Sequence, residues 1–151
     1  MEVSEKKTSQ IVVDAQYLIC GRLASHVAKL LLQGNRVIVV NAEKSLISGK
    51  RESVINEWLE KLEISSVVQP KYGPFHPRNP ARILTKMIRG MIPRRKSKGR
   101  EALKRLRVYV GVPKEYNHVE KVTFEDAKAK KPLSYYVMLG DLALQLGWKG
   151  E

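Results

Sequence analysis

IVVDAQYLICGRLASHVAKLLLQGNRVIVVN, residues 11–41, holds two apolar runs separated by a helical repeat. Ile11 to Asp14 is short and ends in a carboxylate. After a turn placed at Cys20 and Gly21, Leu23, Val27, Leu30 and Leu31 lie four, seven and eight residues on from Leu23, which lays one apolar stripe along a helix. Gln33, Gly34 and Asn35 supply the stop. Arg36 to Asn41 then carries Val37, Ile38, Val39 and Val40 without polar alternation, the pattern of a strand covered on both faces. Strand, helix and strand with short connections make a βαβ unit, so the strands are predicted parallel and the crossover right-handed. The fold class that follows is α/β.

Downstream, Glu52 to Ile64 puts Ile55, Trp58, Leu59 and Leu62 on one helical side and Glu57, Glu60, Lys61 and Glu63 largely on the other. Lys71 to Pro80 has three prolines, a glycine and the rings of Tyr72 and Phe75, which excludes regular helix and central strand and predicts a loop. Asn79 can cap a helix whose first residue is Pro80, running through Ile83, Leu84, Met87, Ile88 and Met91 until Pro93. Arg94, Arg95, Lys96 and Lys98 form a loop with Gly99, a short helix passes through Leu103 and Leu106, and a strand is expected from Arg107 to Val110, ended by Gly111 and Pro113. Lys114 to Lys131 has little period and reads as an exposed excursion. Ser134 is the expected cap of a last helix through Val137, Met138, Leu142 and Leu146, stopped at Gly147 and Trp148.

The chain has 151 residues, 43% hydrophobic, enough for one core, so residues 11–151 are expected to form a single α/β domain behind a polar tail, Met1 to Gln10. The formal charge is +13 and the pI about 10.0. Between Lys71 and Arg107 there are 13 Lys or Arg against one acid, Glu101, a net +12; the other 114 residues hold 15 bases and 14 acids. An almost neutral body thus carries one polyanion-binding element. The apolar runs are too short to span a membrane, which takes about 20 residues. No secretory pattern opens the chain, and a lone Cys20 excludes an internal disulfide.

Arg78, Arg82, Lys86 and Arg89 follow at steps of four, four and three, which stacks their charges on one helix face. A solvated face usually mixes both signs; an unmixed one suits a phosphate backbone, where each neutralised phosphate releases counterions. Tyr72, Phe75 and His76 can stack on exposed bases, or instead pack the proline loop onto the core, Phe75 more readily than Tyr72. The turn before Leu23 lacks the glycine fingerprints of nucleotide-binding loops and reads as a plain strand-to-helix turn. Asp14, Ser25 and His26 make no triad, because neighbouring side chains on a helix diverge. His26, His76 and His118 have no ligand spacing, so no metal is expected; Cys20 lacks a base and reads as a buried hydrophobe. Glu52, Glu57, Glu60 and Glu63 form an outer helix face.

Asp14, Gly21-Arg22-Leu23-Ala24-Ser25, Val40-Asn41-Ala42-Glu43, Ile47-Ser48-Gly49, Pro80-Ala81-Arg82-Ile83, Arg89-Gly90-Met91-Ile92-Pro93 and Tyr109-Val110-Gly111-Val112-Pro113 together resemble the L-thirteen family of large-subunit ribosomal proteins. Order and spacing agree from Ile11 to Pro113, and the C-terminal helix agrees loosely. The resemblance implies a three-layer α/β/α fold around a four-stranded, mainly parallel sheet. It implies a structural, non-enzymatic constituent of the large subunit that binds its ribosomal RNA, meets neighbouring ribosomal proteins in the cytoplasm and aids early assembly. The Lys71 to Arg78 loop and the short length resemble archaeal members. The expected RNA-binding residues are Lys71, Tyr72, His76, Arg78, Arg82, Lys86, Arg89, Arg94, Arg95, Lys96, Lys98, Arg100 and Lys104, with no catalytic residue, cofactor, metal, membrane or small-molecule substrate. The competing readings are a nucleotide-using or RNA-modifying α/β enzyme and a free regulator that binds messenger RNA.

Overall fold

The structure, a computed structural model, describes residues 9–150; the tail at 1–8 lies outside them. Strand β1 (Gln10–Asp14) and strand β2 (Arg36–Val40) pair in parallel, Ile11 with Val37 through Asp14 with Val40, and helix α1 (Cys20–Leu32) joins them. The βαβ unit expected from residues 11–41 is present. Cys20 and Gly21, read as a turn, form the first turn of α1 instead, with Ile19 as its N-cap. At the other end Gly34 takes φ +102°, its amide donates to the Leu31 carbonyl and that of Asn35 to the Leu30 carbonyl. This is the Schellman stop, which a left-handed glycine permits without strain.

Val37 to Val40 are all fully buried, and they divide by pleat. Val37 and Val39 join Val13 and the α1 residues Leu23, Val27 and Leu31 in the main core. Ile38 and Val40 join Val12 under Tyr109, Val112 and Tyr116 on the other face. Each such side chain contributes about 1.5–3 kcal/mol by leaving water, so β2 is the central girder of the fold.

After β2 come a short strand β3 (Leu46–Ser48), helix α2 (Arg51–Glu63), helix α3 (Pro80–Gly90), helix α4 (Ser97–Lys104) and strand β4 (Leu106–Val108). Strand β4 adds in parallel to β2, giving the order β1-β2-β4. When parallel strands are added in one direction, right-handed crossovers leave every connection on the same face. Accordingly the helices' buried residues all belong to the main core. The second face is covered by 109–116, where Gly111 and Pro113 prevent a helix. The expected three-layer α/β/α arrangement is therefore not what the described residues form.

The expected four-stranded sheet is corrected as well. Beyond β1, Val122 makes one parallel bridge, its amide donating to the Val12 carbonyl and its carbonyl accepting from the Asp14 amide. The fourth position is thus occupied by a single residue of the 114–131 excursion, whose polar sequence cannot sustain a strand. A last strand, β5 (Tyr136–Met138), pairs antiparallel with β3, and helix α5 (Leu139–Gln145) follows. Val137 and Met138, expected in that helix behind a Ser134 cap, lie in β5, because Leu46 to Ser48 offers them an edge. Leu106, expected in a helix, begins β4. In α2 only Val54 is buried, and Leu59, expected on the apolar side, is exposed. No helix among the described residues is long and apolar enough to cross a membrane.

Candidate nucleic-acid interface

The basic element is built on α3. Asn79 accepts a hydrogen bond from the Ala81 amide at 2.8 Å and Pro80 opens the helix, as expected. Ile83, Leu84 and Ile88 are buried in the main core, so the helix period turns Arg82, Lys86 and Arg89 to solvent. Ile92 is buried just past the helix and anchors the turn that follows. In that turn the Arg94 amide donates to the Ile92 carbonyl and the Lys96 amide to the Pro93 carbonyl.

Gly99, read as part of a loop, lies inside α4. A Cβ on it would stand 2.1 Å from the Pro93 oxygen and 2.5 Å from its carbonyl carbon. Backbone lies against backbone at this contact, and it holds the Arg94–Lys96 loop against α4. Ala102 is buried, which leaves Lys98, Arg100 and Lys104 exposed.

Of the thirteen residues predicted to meet RNA, all but His76 are exposed. No Lys or Arg between 71 and 107 forms an ion pair among the described residues; the ion pairs there are His26–Asp126, Arg51–Asp141, Lys61–Glu57 and Lys128–Glu125. One cleft is lined by Phe75, Arg82, Lys86 and Arg89, and the next by Lys86, Arg89 and Arg94, so these five residues form one continuous surface. Lys98 points elsewhere, into a cleft with Ser25, Lys29 and Gln33 of the α1 side. Lys71 sits 5.9 Å from the Tyr72 ring centre, within cation–π reach.

The choice left open for the aromatic rings resolves residue by residue. Tyr72 is 75% and Phe75 76% exposed, so neither packs the loop onto the core. The fastening comes from polar contacts instead: His76 Nε2 lies 2.7 Å from the Ile64 carbonyl oxygen, and Lys86 Nζ donates to the Phe75 carbonyl at 3.2 Å. Arg105, within the basic run, serves the fold: its guanidinium donates to the Leu31 carbonyl at 2.8 Å, a cation at the negative end of α1.

The residues weighed for catalysis disperse. Asp14 accepts from the Gln16 amide and the Asn41 side chain, both at 3.0 Å. Ser25 donates to the Arg22 carbonyl, and His26 stacks on Phe124 with ring centres 4.6 Å apart. Gly21 has no atom within 4 Å of a would-be Cβ and needs no positive φ, so it does not make the close approach required of a phosphate-loop glycine. Among the described residues no three His, Cys, Asp or Glu side chains are grouped to hold a metal ion. The short sequence blocks have a structural use: Asn41, at φ +56°, donates its amide to the Gly111 carbonyl, and Glu43 accepts from the Gly111 amide at 2.9 Å, which locks the strand ends together.

Burial pushes the Cys20 thiol up to about 11, against the opposing effect of its hydrogen bond to Ser45. A raised thiol pKa favours the folded state below the unfolded value of 9.0, and that stabilisation is lost between pH 9 and about 11. Native protein is expected to leave Cys20 unlabelled by a thiol reagent at pH 8 and to expose it on denaturation; rapid labelling of the folded chain would contradict this. Between pH 9 and 11 the wild type should lose more stability than Cys20→Ala, by about 3 kcal/mol, in urea melts.

A parallel α/β body with its surplus charge gathered on one exposed, unpaired face defines a basic protein built to meet a polyanion. Residues 8–115 match the family described as Ribosomal protein L13. The chain is also 50% identical over 142 residues to the large ribosomal subunit protein uL13 of Aeropyrum pernix, covering 93% of this chain and 92% of that one. The uL13 proteins of Methanosarcina barkeri and Methanopyrus kandleri are 46% and 42% identical over 91% of this chain, covering 98% and 87% of their own. The chain belongs to the Ribosomal protein L13 family, and with it to structural, non-enzymatic proteins. The relatives named are archaeal, as the loop at 71–78 suggested.

Proposed function

We propose that the chain is a structural constituent of the large subunit of the cytoplasmic ribosome, where residues 11–151 act as one domain that clamps folded ribosomal RNA during early assembly. The observation that carries this is the exposed, unpaired cation set of α3, the 94–96 loop and α4. Arg82, Lys86, Arg89, Arg94, Arg95 and Lys96 neutralise closely packed phosphates that would otherwise repel, with Lys71, Arg78, Lys98, Arg100 and Lys104 extending the contact. Phosphate contacts of this kind position a protein on RNA shape instead of reading base sequence. Tyr72 and Phe75, exposed beside these cations, supply stacking surfaces for unpaired bases, while His76 holds their loop. Neighbouring large-subunit proteins complete the partners.

The test is salt-dependent binding of the full chain to large-subunit ribosomal RNA on filters. With about 6–10 phosphates contacted, affinity should fall roughly a thousandfold to a hundred-thousandfold from 50 to 200 mM salt. Absence of binding, or an affinity indifferent to salt, would reject the clamp.

A further inference from the structure

We propose that the cleft between the start of α3 and the turn after α5 holds one unstacked nucleotide of the ribosomal RNA, with its base against Trp148 and its phosphate among Arg78, Arg82 and Lys149. This rests on the RNA-binding reading above and adds to it a C-terminal site outside the basic run of 71–107.

The cleft measures about 540 Å³ and is lined by Arg78, Asn79, Arg82, Gly147, Trp148 and Lys149 among others, with no acid in its wall. That volume lies within the roughly 300–1,000 Å³ usual for small-ligand sites. Two segments distant in sequence meet there, and both are fixed. On one side the positive end of α3 is set by its Asn79 cap. On the other, Gly147 at φ +104° and the Trp148 amide, which donates to the Ala143 carbonyl at 2.9 Å, form the stop of α5. A Cβ on Gly147 would lie 3.3 Å from Arg78 Nη1, so the glycine lets this guanidinium lie close over the turn. Trp148 packs partly against the core, which holds its plane steady, and still lines the cleft.

An indole beside three cations fits a base joined to a phosphate: stacking uses the ring and ignores base identity, and the cations take the negative charge. Arg82 also lines the cleft shared with Phe75, Lys86 and Arg89, so a strand crossing the α3 face reaches this site without a break. That continuity favours a nucleotide of a bound RNA over a free mononucleotide.

The chain has two tryptophans, so Trp58→Phe leaves Trp148 as the only indole. Titrating this full-length variant with large-subunit ribosomal RNA should quench Trp148 emission with the same midpoint as RNA retention on filters. Retention with unchanged emission overturns the cleft and leaves the RNA clamp standing; no retention overturns both. Saturable quenching by adenosine monophosphate alone at micromolar concentration would make this a mononucleotide site and reject it as an RNA contact. Lys149→Glu, at an exposed position, should weaken binding about tenfold and lower the salt slope by about one. Unchanged affinity and slope would remove the phosphate from the site.

Discussion

Changing Arg82, Lys86, Arg89 and Arg94 together to alanine is expected to weaken binding to large-subunit ribosomal RNA by roughly a thousandfold or more at 50 mM salt, with a logarithmic salt slope about 3–4 units shallower than wild type. The four line two adjoining clefts, all are exposed, and none has a carboxylate partner among the described residues. Each cation that meets a phosphate releases condensed counterions, so losing four removes about four such terms from the slope. Thermal stability should hardly change, because exposed side chains far from the core seldom matter by more than about 0.5 kcal/mol. The two measurements separate binding from folding. Equal slopes in wild type and variant would mean that the α3 face is only solvated, and the binding surface would have to move elsewhere.

The second large effect is expected at Gly99. Any side chain there drives its Cβ into the Pro93 carbonyl, at 2.1 Å, and a backbone carbonyl cannot rotate out of the way as a side chain can. Gly99→Val should cost about 3 kcal/mol, at the upper end of overpacking effects, which for a chain of this size lowers Tm by roughly 6–12 °C. RNA affinity should fall with it, since Arg94, Arg95 and Lys96 ride on the displaced turn. Gly90→Ala is the control: no atom lies within 4 Å of its Cβ position and the glycine closes α3, so stability should hold or rise by up to about 1 kcal/mol. Calorimetry of both variants decides it, and a Gly99→Val protein as stable as wild type would show that the α4–Pro93 contact is not close-packed in solution.

Local rules were enough wherever an element is specified by its own residues. Leu23, Val27, Leu30 and Leu31 place α1, Gly34 stops it, and four unbroken β-branched residues mark β2 as covered on both faces. Asn79 and Pro80 mark the start of α3 equally well. The exposed cation face is legible for the same reason: it depends on a helical period and a count of charges, both written along the chain. Elements specified by a distant partner were not legible. Tyr136 to Met138 has a helical continuation after it and becomes a strand only because β3 presents an edge. Val122 sits in a polar stretch without period, and one bridge to β1 gives it its place in the sheet.

Sequence alone therefore determined the α/β class, the parallel βαβ unit, the basic element at 71–107 and the family to which the chain belongs. These depend on patterns that repeat within a few turns or on short blocks in order. Tertiary structure alone decided that the helices share one face, that Gly99 fastens the basic loop, that Arg105 is spent on α1, and that Trp148 and Lys149 come to lie beside Arg78 and Arg82. Each of those facts requires two segments far apart in sequence to meet. Such meetings follow from the direction in which strands are added and the space the core leaves, and no local pattern encodes either.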